Sequence, residues 1–202
     1  QQLVRVPTDT PPGNNAPHAE RTAQLLAGFG FTAERYPVPE QAVKDYGLQS
    51  LTNLVVRRRY GAGGRTIALN AHGDVVPPGA GWTEDPYAAR VKDGVMYGRG
   101  VAVSKSDIAS YTFALLALIE SKVGLKKGTV ELHITYDEET GGEIGPAYLL
   151  EKGISKPDLA IGAGFSYAVV TAHNGCLHLE VEVTGRSAHA AKPWTGIDAL
   201  EA

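Results

Sequence analysis

Two short polar segments of this sequence combine residue types that bind metal ions and move protons. The first is His72-Gly73-Asp74, which follows the strand-forming residues 66–69 and precedes the loop-forming segment Pro77-Pro78-Gly79. In an extended segment residues i and i+2 point to the same side, so His72 can face a metal ion while Asp74 orients the imidazole. The alternative is that this histidine and aspartate only cap a loop.

The second polar segment is Asp137-Glu138-Glu139-Thr140-Gly141-Gly142, which also follows a predicted strand. Neighbouring carboxylates repel one another, so their grouping costs stability unless a cation lies among them. Adjacent residues point apart in extended geometry, which allows one carboxylate to bind a metal ion while the other holds a water molecule. In metal-assisted hydrolysis such a glutamate takes the proton of the water and delivers it to the leaving amine. The alternative is a solvated acidic turn.

The elements that must position these segments alternate between strands and helices. Apolar residues at three- and four-residue spacing predict helices, over 18–29, 104–121 and, more briefly, 146–152. Strand-forming composition predicts strands, over 31–38, 49–59, 66–72, 129–136, 158–163, 169–173 and 177–183. Of these, 158–163 is expected to be buried, and 195–202 is expected to begin a further helix. The alternation indicates a layered α/β domain, in which the loops carrying the two polar segments converge on one cleft.

Composition excludes several classes of protein. The chain has 202 residues, a hydrophobic share of 43%, a charged share of 20% and a formal net charge of −3, with no basic run that would indicate nucleic acid. No apolar run approaches the roughly 20 residues that cross a bilayer, and the first residues do not form a signal peptide. Because Cys176 is the only cysteine, we expect a reducing, cytoplasmic location. Because no apolar run is long enough to cross a bilayer, we expect no membrane partner. The last predicted element is incomplete, so we expect a fragment of a longer protein.

Six segments in order carry a resemblance to a known family: His72-Gly73-Asp74, 82–87, 93–100, Glu138-Glu139-Thr140-Gly141-Gly142, His173-Asn174-Gly175 and Gly185-Arg186-Ser187-Ala188-His189. Together they resemble the dimeric zinc amidohydrolases, which include aminoacylase, acetylornithine deacetylase, succinyl-diaminopimelate desuccinylase and bacterial glutamate carboxypeptidase. The resemblance implies a three-layer αβα sandwich with a mixed, mostly parallel sheet, as in zinc peptidases. It further implies that 1–174 is the N-terminal part of the catalytic α/β domain and that 175–202 begins an inserted α+β lid and dimerisation domain.

The resemblance also implies roles for individual residues. His72 resembles a zinc ligand, Asp74 the carboxylate that orients it, Glu138 the general acid and base, and Glu139 a ligand of a second zinc ion. His189 matches the lid histidine that stabilises the oxyanion, typically in the partner subunit's active site. Its alternative is an exposed loop histidine. The implied cofactors are two zinc ions, with cobalt or manganese as substitutes, and the implied full-length protein is a homodimer acting on an N-acyl amino acid or a short peptide.

Two positions depart from the family pattern. Val103 stands three residues after Gly100, where the family has the carboxylate that bridges the two metal ions, and Ala163 stands where a carboxylate completes the first site. Asp107 lies one helical turn after Val103 and is a candidate replacement, although its backbone begins about 6 Å further along the axis. The family's last ligand, a histidine, would lie beyond residue 202.

Two functions therefore remain open. The first is a metal-dependent hydrolase of an amide bond, of the N-acyl amino acid deacylase or the dipeptidase and carboxypeptidase type. The second is a metal-poor, non-catalytic relative that binds a small molecule or regulates another protein. The intact residues Asp74, Glu138 and Glu139 favour the hydrolase for a full-length protein. For the 202-residue chain alone we expect no turnover.

Overall fold

A mixed five-stranded sheet forms the centre of the first of two units, Gln1–Phe165 and Ser166–Ala202. The computed structural model describes residues 1–164, 168–172, 174–175, 177 and 179–201. In chain order the strands are β1 (Ala33–Pro37), β2 (Thr52–Arg59), β3 (Thr66–His72), β4 (Arg90–Lys92), β5 (Val95–Tyr97), β6 (Thr129–Thr135) and β7 (Leu159–Gly162). The short strands β4 and β5 pair with each other as a separate hairpin.

The order of strands across the sheet is β1-β2-β6-β3-β7. Strand β2 pairs antiparallel with β1 and β6, whereas β3 pairs parallel with β6 and β7. The predicted α/β fold with a mixed sheet is therefore confirmed. In the parallel pair of β3 and β6, His72 lies opposite Thr135. The two strands consequently end side by side, and the residues that follow them leave the sheet at the same edge.

Helices follow the predicted apolar spacing. They are α1 (Ala16–Gly28), α2 (Glu40–Asp45), α3 (Lys105–Glu120) and α4 (Tyr148–Glu151), the last preceded by a π-helical turn over Glu143–Ala147. The sequence did not predict α2, because its six residues bury only Val43 and are too short to show a period. Among the described residues, no helix combines the length and the apolar character that crossing a membrane requires.

The main apolar core lies between the sheet and the helices α1 and α3. Side chains of β2 and β6 that point to this side meet buried residues of both helices: Ala23, Leu26, Leu54, Val56, Ile108, Leu115, Leu132 and Ile134. Residues between them in the strands point to the opposite face. There Glu131 contacts Arg57 at 2.8 Å and His133 at 2.9 Å, and it accepts a hydrogen bond from Ser155. One face of the sheet is thus apolar and the other carries a buried ionic network.

Four predictions for the last third of the chain need correction. Strand β7 forms but is exposed rather than buried, with Leu159 and Ile161 about half accessible to solvent. The described parts of 169–173 and 177–183 form no strand, and residues 196–201 form no helix after the 3₁₀ turn Pro193–Thr195. Alternating apolar residues mark a strand only where a neighbouring strand accepts its backbone hydrogen bonds. Such a neighbour is absent from the described part of Ser166–Ala202.

Candidate metal centre

The turn after β3 holds its histidine and its aspartate in contact. His72 Nδ1 lies 3.2 Å from Asp74 Oδ1 and 3.0 Å from the Asp74 carbonyl oxygen. The second carboxylate oxygen of Asp74 accepts the backbone N–H of Glu139 at 3.0 Å. Asp74 is fully buried and His72 nearly so. Asp74 therefore joins the two polar segments, and it leaves Nε2 of His72 free to face outward.

The surroundings of His72 favour a positively charged partner or a proton at the imidazole. Burial by itself lowers the pKa of His72, but the hydrogen bond and charge of Asp74, together with the charges of Glu138 and Glu139, outweigh burial and raise it. The pKa of Glu139 is also raised, first by burial and then by the neighbouring charge of Glu138. Excess negative charge around one imidazole is the environment in which a cation is stabilised.

The acidic turn after β6 assigns different environments to its three carboxylates. Asp137 is buried, and its Oδ2 accepts the backbone N–H groups of Ile144 and Gly145, each at 2.7 Å. Burial raises the pKa of Asp137 to about 6, against the opposing effect of these two hydrogen bonds. Gly145 is required here, because a Cβ atom at this position would lie 1.9 Å from Asp137 Oδ1. Asp137 thus fixes the following helical turn, while Glu138 and Glu139 remain exposed.

The structure brings His72, Glu138 and Glu139 together. One ligand atom from each lies within 4.8 Å of the others, and His72 Nε2 is 3.8 Å from Glu138 Oε2. All three line a cavity of about 440 Å³, whose walls also include Val75, Val76, 98–100, Ala102 and Val103. Imidazole nitrogen and carboxylate oxygen are zinc ligands, and catalytic zinc commonly has three of them and one open position. The described residues therefore offer up to three ligands to one metal ion, or two ligands with a free carboxylate beside them.

The positions that depart from the family pattern add no donor to this cluster. Val103 lines the cavity with an aliphatic side chain, and Ala163 contributes only a backbone N–H, bonded to the Asn70 carbonyl at 3.0 Å. Asp107 lies outside the cluster. Burial raises the pKa of Asp107, and the charge of His72 partly offsets this rise. Asp107, a candidate replacement for the carboxylate missing at Val103, is therefore not a member of the cluster formed by the described residues.

Two histidines of the resemblance belong to the unit Ser166–Ala202. His189 belongs to the unit Ser166–Ala202, where its Nδ1 accepts the backbone N–H of Ala191 at 3.1 Å and the residue is exposed. The role of His189 at the oxyanion stays a prediction. His173, part of the fifth segment of the resemblance, lies outside the described residues.

Sequence reasoning missed the residues that hold the His72 turn from behind. Ser104 Oγ accepts the His72 backbone N–H at 3.0 Å, and Thr8 Oγ1 donates to the Gly73 carbonyl at 2.6 Å. Both hydroxyl side chains are buried. Their separation from His72, 32 and 64 residues respectively, leaves no local pattern that would connect them to it.

The fold is similar to those of three solved structures. A metallo-carboxypeptidase of the M20 family from Sulfolobus solfataricus is 19% identical with a TM-score of 0.61, and the match covers 81% of this chain and 36% of that one. Human carnosine dipeptidase 1 is 21% identical with a TM-score of 0.57, covering 82% and 37%. A dinuclear metal-binding peptidase of the M20 family from Bacillus subtilis is 20% identical with a TM-score of 0.52, covering 79% and 39%.

The chain belongs to Peptidase family M20/M25/M40, whose profile matches residues 68–194. This region contains every residue of the metal cluster as well as Asp74. The chain spans less than two-fifths of the length of each of the three structures named above. The residues described here thus correspond to one part of a larger family fold.

Proposed function

We propose that this chain supplies part of the active site of a metal-dependent hydrolase that cleaves an amide bond in an N-acyl amino acid or a short peptide. The observation that supports this most directly is the convergence of His72, Glu138 and Glu139, from two strands far apart in sequence, to within 4.8 Å. Family membership supports the same class of reaction. One similar structure is named as a dipeptidase and another as a carboxypeptidase, which is consistent with a short peptide.

In this proposal His72 and Glu139 hold one metal ion, and Asp74 keeps the imidazole in the orientation that presents Nε2. The resemblance implies a second zinc ion for Glu139; the proposal assigns it to the ion of His72 because one ligand atom of each lies within 4.8 Å of the other. Zinc is the proposed ion, with cobalt or manganese as substitutes. A bound ion would supply Lewis-acid polarisation of the scissile carbonyl. A second ion would require donors beyond those of the described residues, because Val103 and Ala163 have none.

Glu138 is the proposed general acid and base. Its side chain is 61% exposed and opens on the cavity, so water and substrate reach it, whereas Asp137 beside it is occupied by two backbone N–H groups. Glu138 takes a proton from the attacking water and returns it to the departing amine nitrogen. His189 is proposed to stabilise the developing oxyanion in a homodimer of the longer protein, on the resemblance alone.

Arg99 is a candidate for binding the carboxylate of the substrate. It is the only arginine or lysine among the described residues that line the cavity. Its guanidinium donates to the Pro78 carbonyl at 3.2 Å and lies 5.8 Å from the Trp82 ring, but the ion pairs of the described residues give it no carboxylate partner. An N-acyl amino acid with a free carboxylate should therefore have a lower KM than its amide. Arg99→Gln should remove that preference.

The alternative function is a metal-poor relative that binds a small molecule without cleaving it. Val103 favours this alternative, because it places an aliphatic side chain in the cavity beside the cluster. Elemental analysis and hydrolysis of an N-acyl amino acid by the longer protein distinguish the two functions. The hydrolase should contain about one zinc ion per chain and release the amino acid. Protein that contains almost no zinc after dialysis against zinc, and releases no amino acid, would support the binding function instead. The cytoplasmic location stays a prediction.

A further inference from the structure

The backbone of the turn that carries His72 and Asp74 is hydrogen-bonded to other segments at His72, Gly73 and Val75. The N–H of His72 donates to Ser104 Oγ at 3.0 Å, and the N–H of Gly73 donates to the Thr135 carbonyl at 2.8 Å. The Gly73 carbonyl accepts the hydroxyl of Thr8 at 2.6 Å. The partners Ser104, Thr135 and Thr8 are all distant from the turn in sequence, so each bond depends on a different segment.

Thr8 holds this turn with its backbone as well as with its side chain. Its carbonyl accepts the Val75 N–H at 3.1 Å, and Thr10 N–H donates back to the Val75 carbonyl at 2.8 Å. Thr8 is almost fully buried, although it lies near the start of the chain. The segment around Thr8 therefore runs parallel to the His72 turn, with a bridge between Asp9 and Val75.

The peptide group between Gly73 and Asp74 links the carbonyl that Thr8 contacts to the aspartate that contacts His72. Glycine has the freest backbone of any residue, so its own conformation does not fix this peptide plane. Behind Gly73 the Tyr136 ring leaves no space for a side chain, since a Cβ atom would lie 2.3 Å from it. The Thr8 hydroxyl is the side-chain donor that fixes the Gly73 carbonyl. Rotation of this peptide would move Asp74 relative to the imidazole that it contacts at 3.2 Å.

We propose that Thr8 is a positioning residue of the metal centre: its buried hydroxyl fixes the Gly73 carbonyl and thereby holds Asp74 Oδ1 against His72 Nδ1. This inference rests on the proposed metal site. Residues that orient a metal ligand through a hydrogen bond typically contribute about 10- to 100-fold to metal affinity. Thr8 acts one step further from the ion than Asp74, so its removal should weaken zinc binding by about tenfold, the lower end of that range.

The test measures zinc affinity of the 202-residue chain by competition with a chromophoric chelator. Thr8→Val removes the hydroxyl and keeps the shape, while Thr8→Ser keeps the hydroxyl. Thr112→Val is the matched control, because Thr112 is also buried and donates to a backbone carbonyl, that of Ile108 at 2.7 Å, within α3. Circular dichroism and thermal unfolding establish that each variant is folded. The visible spectrum of bound Co²⁺ reports the ligand geometry, which a general loss of stability would leave unchanged.

Weaker zinc binding and an altered Co²⁺ spectrum in Thr8→Val, with wild-type behaviour in Thr8→Ser and Thr112→Val, support the role of Thr8. Equal affinity in wild type and Thr8→Val contradicts it, as does an equal loss in Thr112→Val. If Thr8→Val does not fold, Thr8→Ser decides: wild-type affinity supports the hydroxyl, and lost affinity in folded protein contradicts it. A wild-type chain that binds no zinc contradicts the proposed function itself, a result distinct from failure of the Thr8 variant alone.

Discussion

The two turns of the candidate metal centre leave adjacent parallel strands at the same edge of the sheet, yet they are held in opposite ways. The His72 turn is buried, and its backbone is bonded to Thr8, Ser104 and Thr135. The acidic turn is anchored at Asp137 and then exposes Glu138 and Glu139 to the cavity. Asp74 is the side chain that connects the two turns.

This difference separates two tasks that a metal-dependent hydrolase needs. A metal ligand must keep its geometry when no ion is bound, and a buried turn with satisfied hydrogen bonds provides that rigidity. A general base must reach water and exchange protons, which requires an exposed carboxylate. Variants should therefore fail differently: those of Asp74 in the buried turn through metal affinity, and those of Glu138 in the acidic turn through catalysis.

The largest effect is expected from Glu138→Gln in the longer protein. Glutamine cannot accept the proton of the attacking water, so hydrolysis of an N-acyl amino acid should fall by at least about 10²-fold. The measurement is kcat, with metal content determined on the same sample. Glu143→Gln is the matched control, since Glu143 is exposed in the neighbouring turn but is not a member of the cluster. Full activity in Glu138→Gln would remove the proposed role of this residue.

Asp74→Asn should act on metal affinity instead. The amide keeps the size of the carboxylate but loses the charge that orients the His72 imidazole, so zinc affinity should fall by about 10- to 100-fold. Competition with a chelator measures the change in the 202-residue chain. Asp158→Asn is the control, because Asp158 also accepts a backbone N–H, that of Thr66 at 2.7 Å, at the other end of β3. Unchanged affinity in Asp74→Asn would show that the buried turn does not orient a ligand.

A smaller effect concerns stability behind the buried turn. His18 Nδ1 contacts Tyr136 OH at 3.0 Å, and burial, together with the charge of Lys105, lowers the pKa of His18 to about 3. The unfolded chain binds this proton near pH 6.5, so His18 contributes stability above pH 6.5 that is lost as the pH falls towards 3. One pH unit below 6.5, the free energy of unfolding should have fallen by about 1.4 kcal/mol from this residue.

Urea unfolding of wild type and His18→Gln at pH 7.5 and 5.5 measures this contribution. Other groups titrate over the same range, so the informative quantity is the difference between the two proteins. The variant lacks the titrating imidazole and should lose less stability on acidification. An identical loss in both proteins would mean that His18 is not held neutral behind the Tyr136 ring.

The smallest effect is expected at Asp107. Its donor atoms lie outside the cluster of His72, Glu138 and Glu139, so Asp107→Asn should bind zinc as the wild type does. The same chelator competition measures it. A loss comparable to that of Asp74→Asn would instead assign Asp107 to the metal, in place of the carboxylate that Val103 lacks.

The sequence alone was sufficient for the main elements of the first unit. Helices α1 and α3 and strands β2, β3 and β6 were predicted to within a few residues, because each carries a long or regular apolar pattern. It was not sufficient for 169–183 and 195–202, whose local composition favours regular structure that the described residues do not form. A strand is stable only when it pairs with another strand, and local composition does not show whether such a partner is present.

For the site, the sequence determined which residue types follow β3 and β6, and hence the kind of chemistry available. The tertiary structure decided which of these residues meet and which are buried or exposed. It placed His72 beside Glu138 through a parallel pairing of strands that are more than 50 residues apart. It also buried Asp137 as a helix anchor while exposing its neighbour Glu138, and brought Thr8 against Gly73. These outcomes depend on burial and on contacts between distant segments, and no local pattern of residues encodes either one.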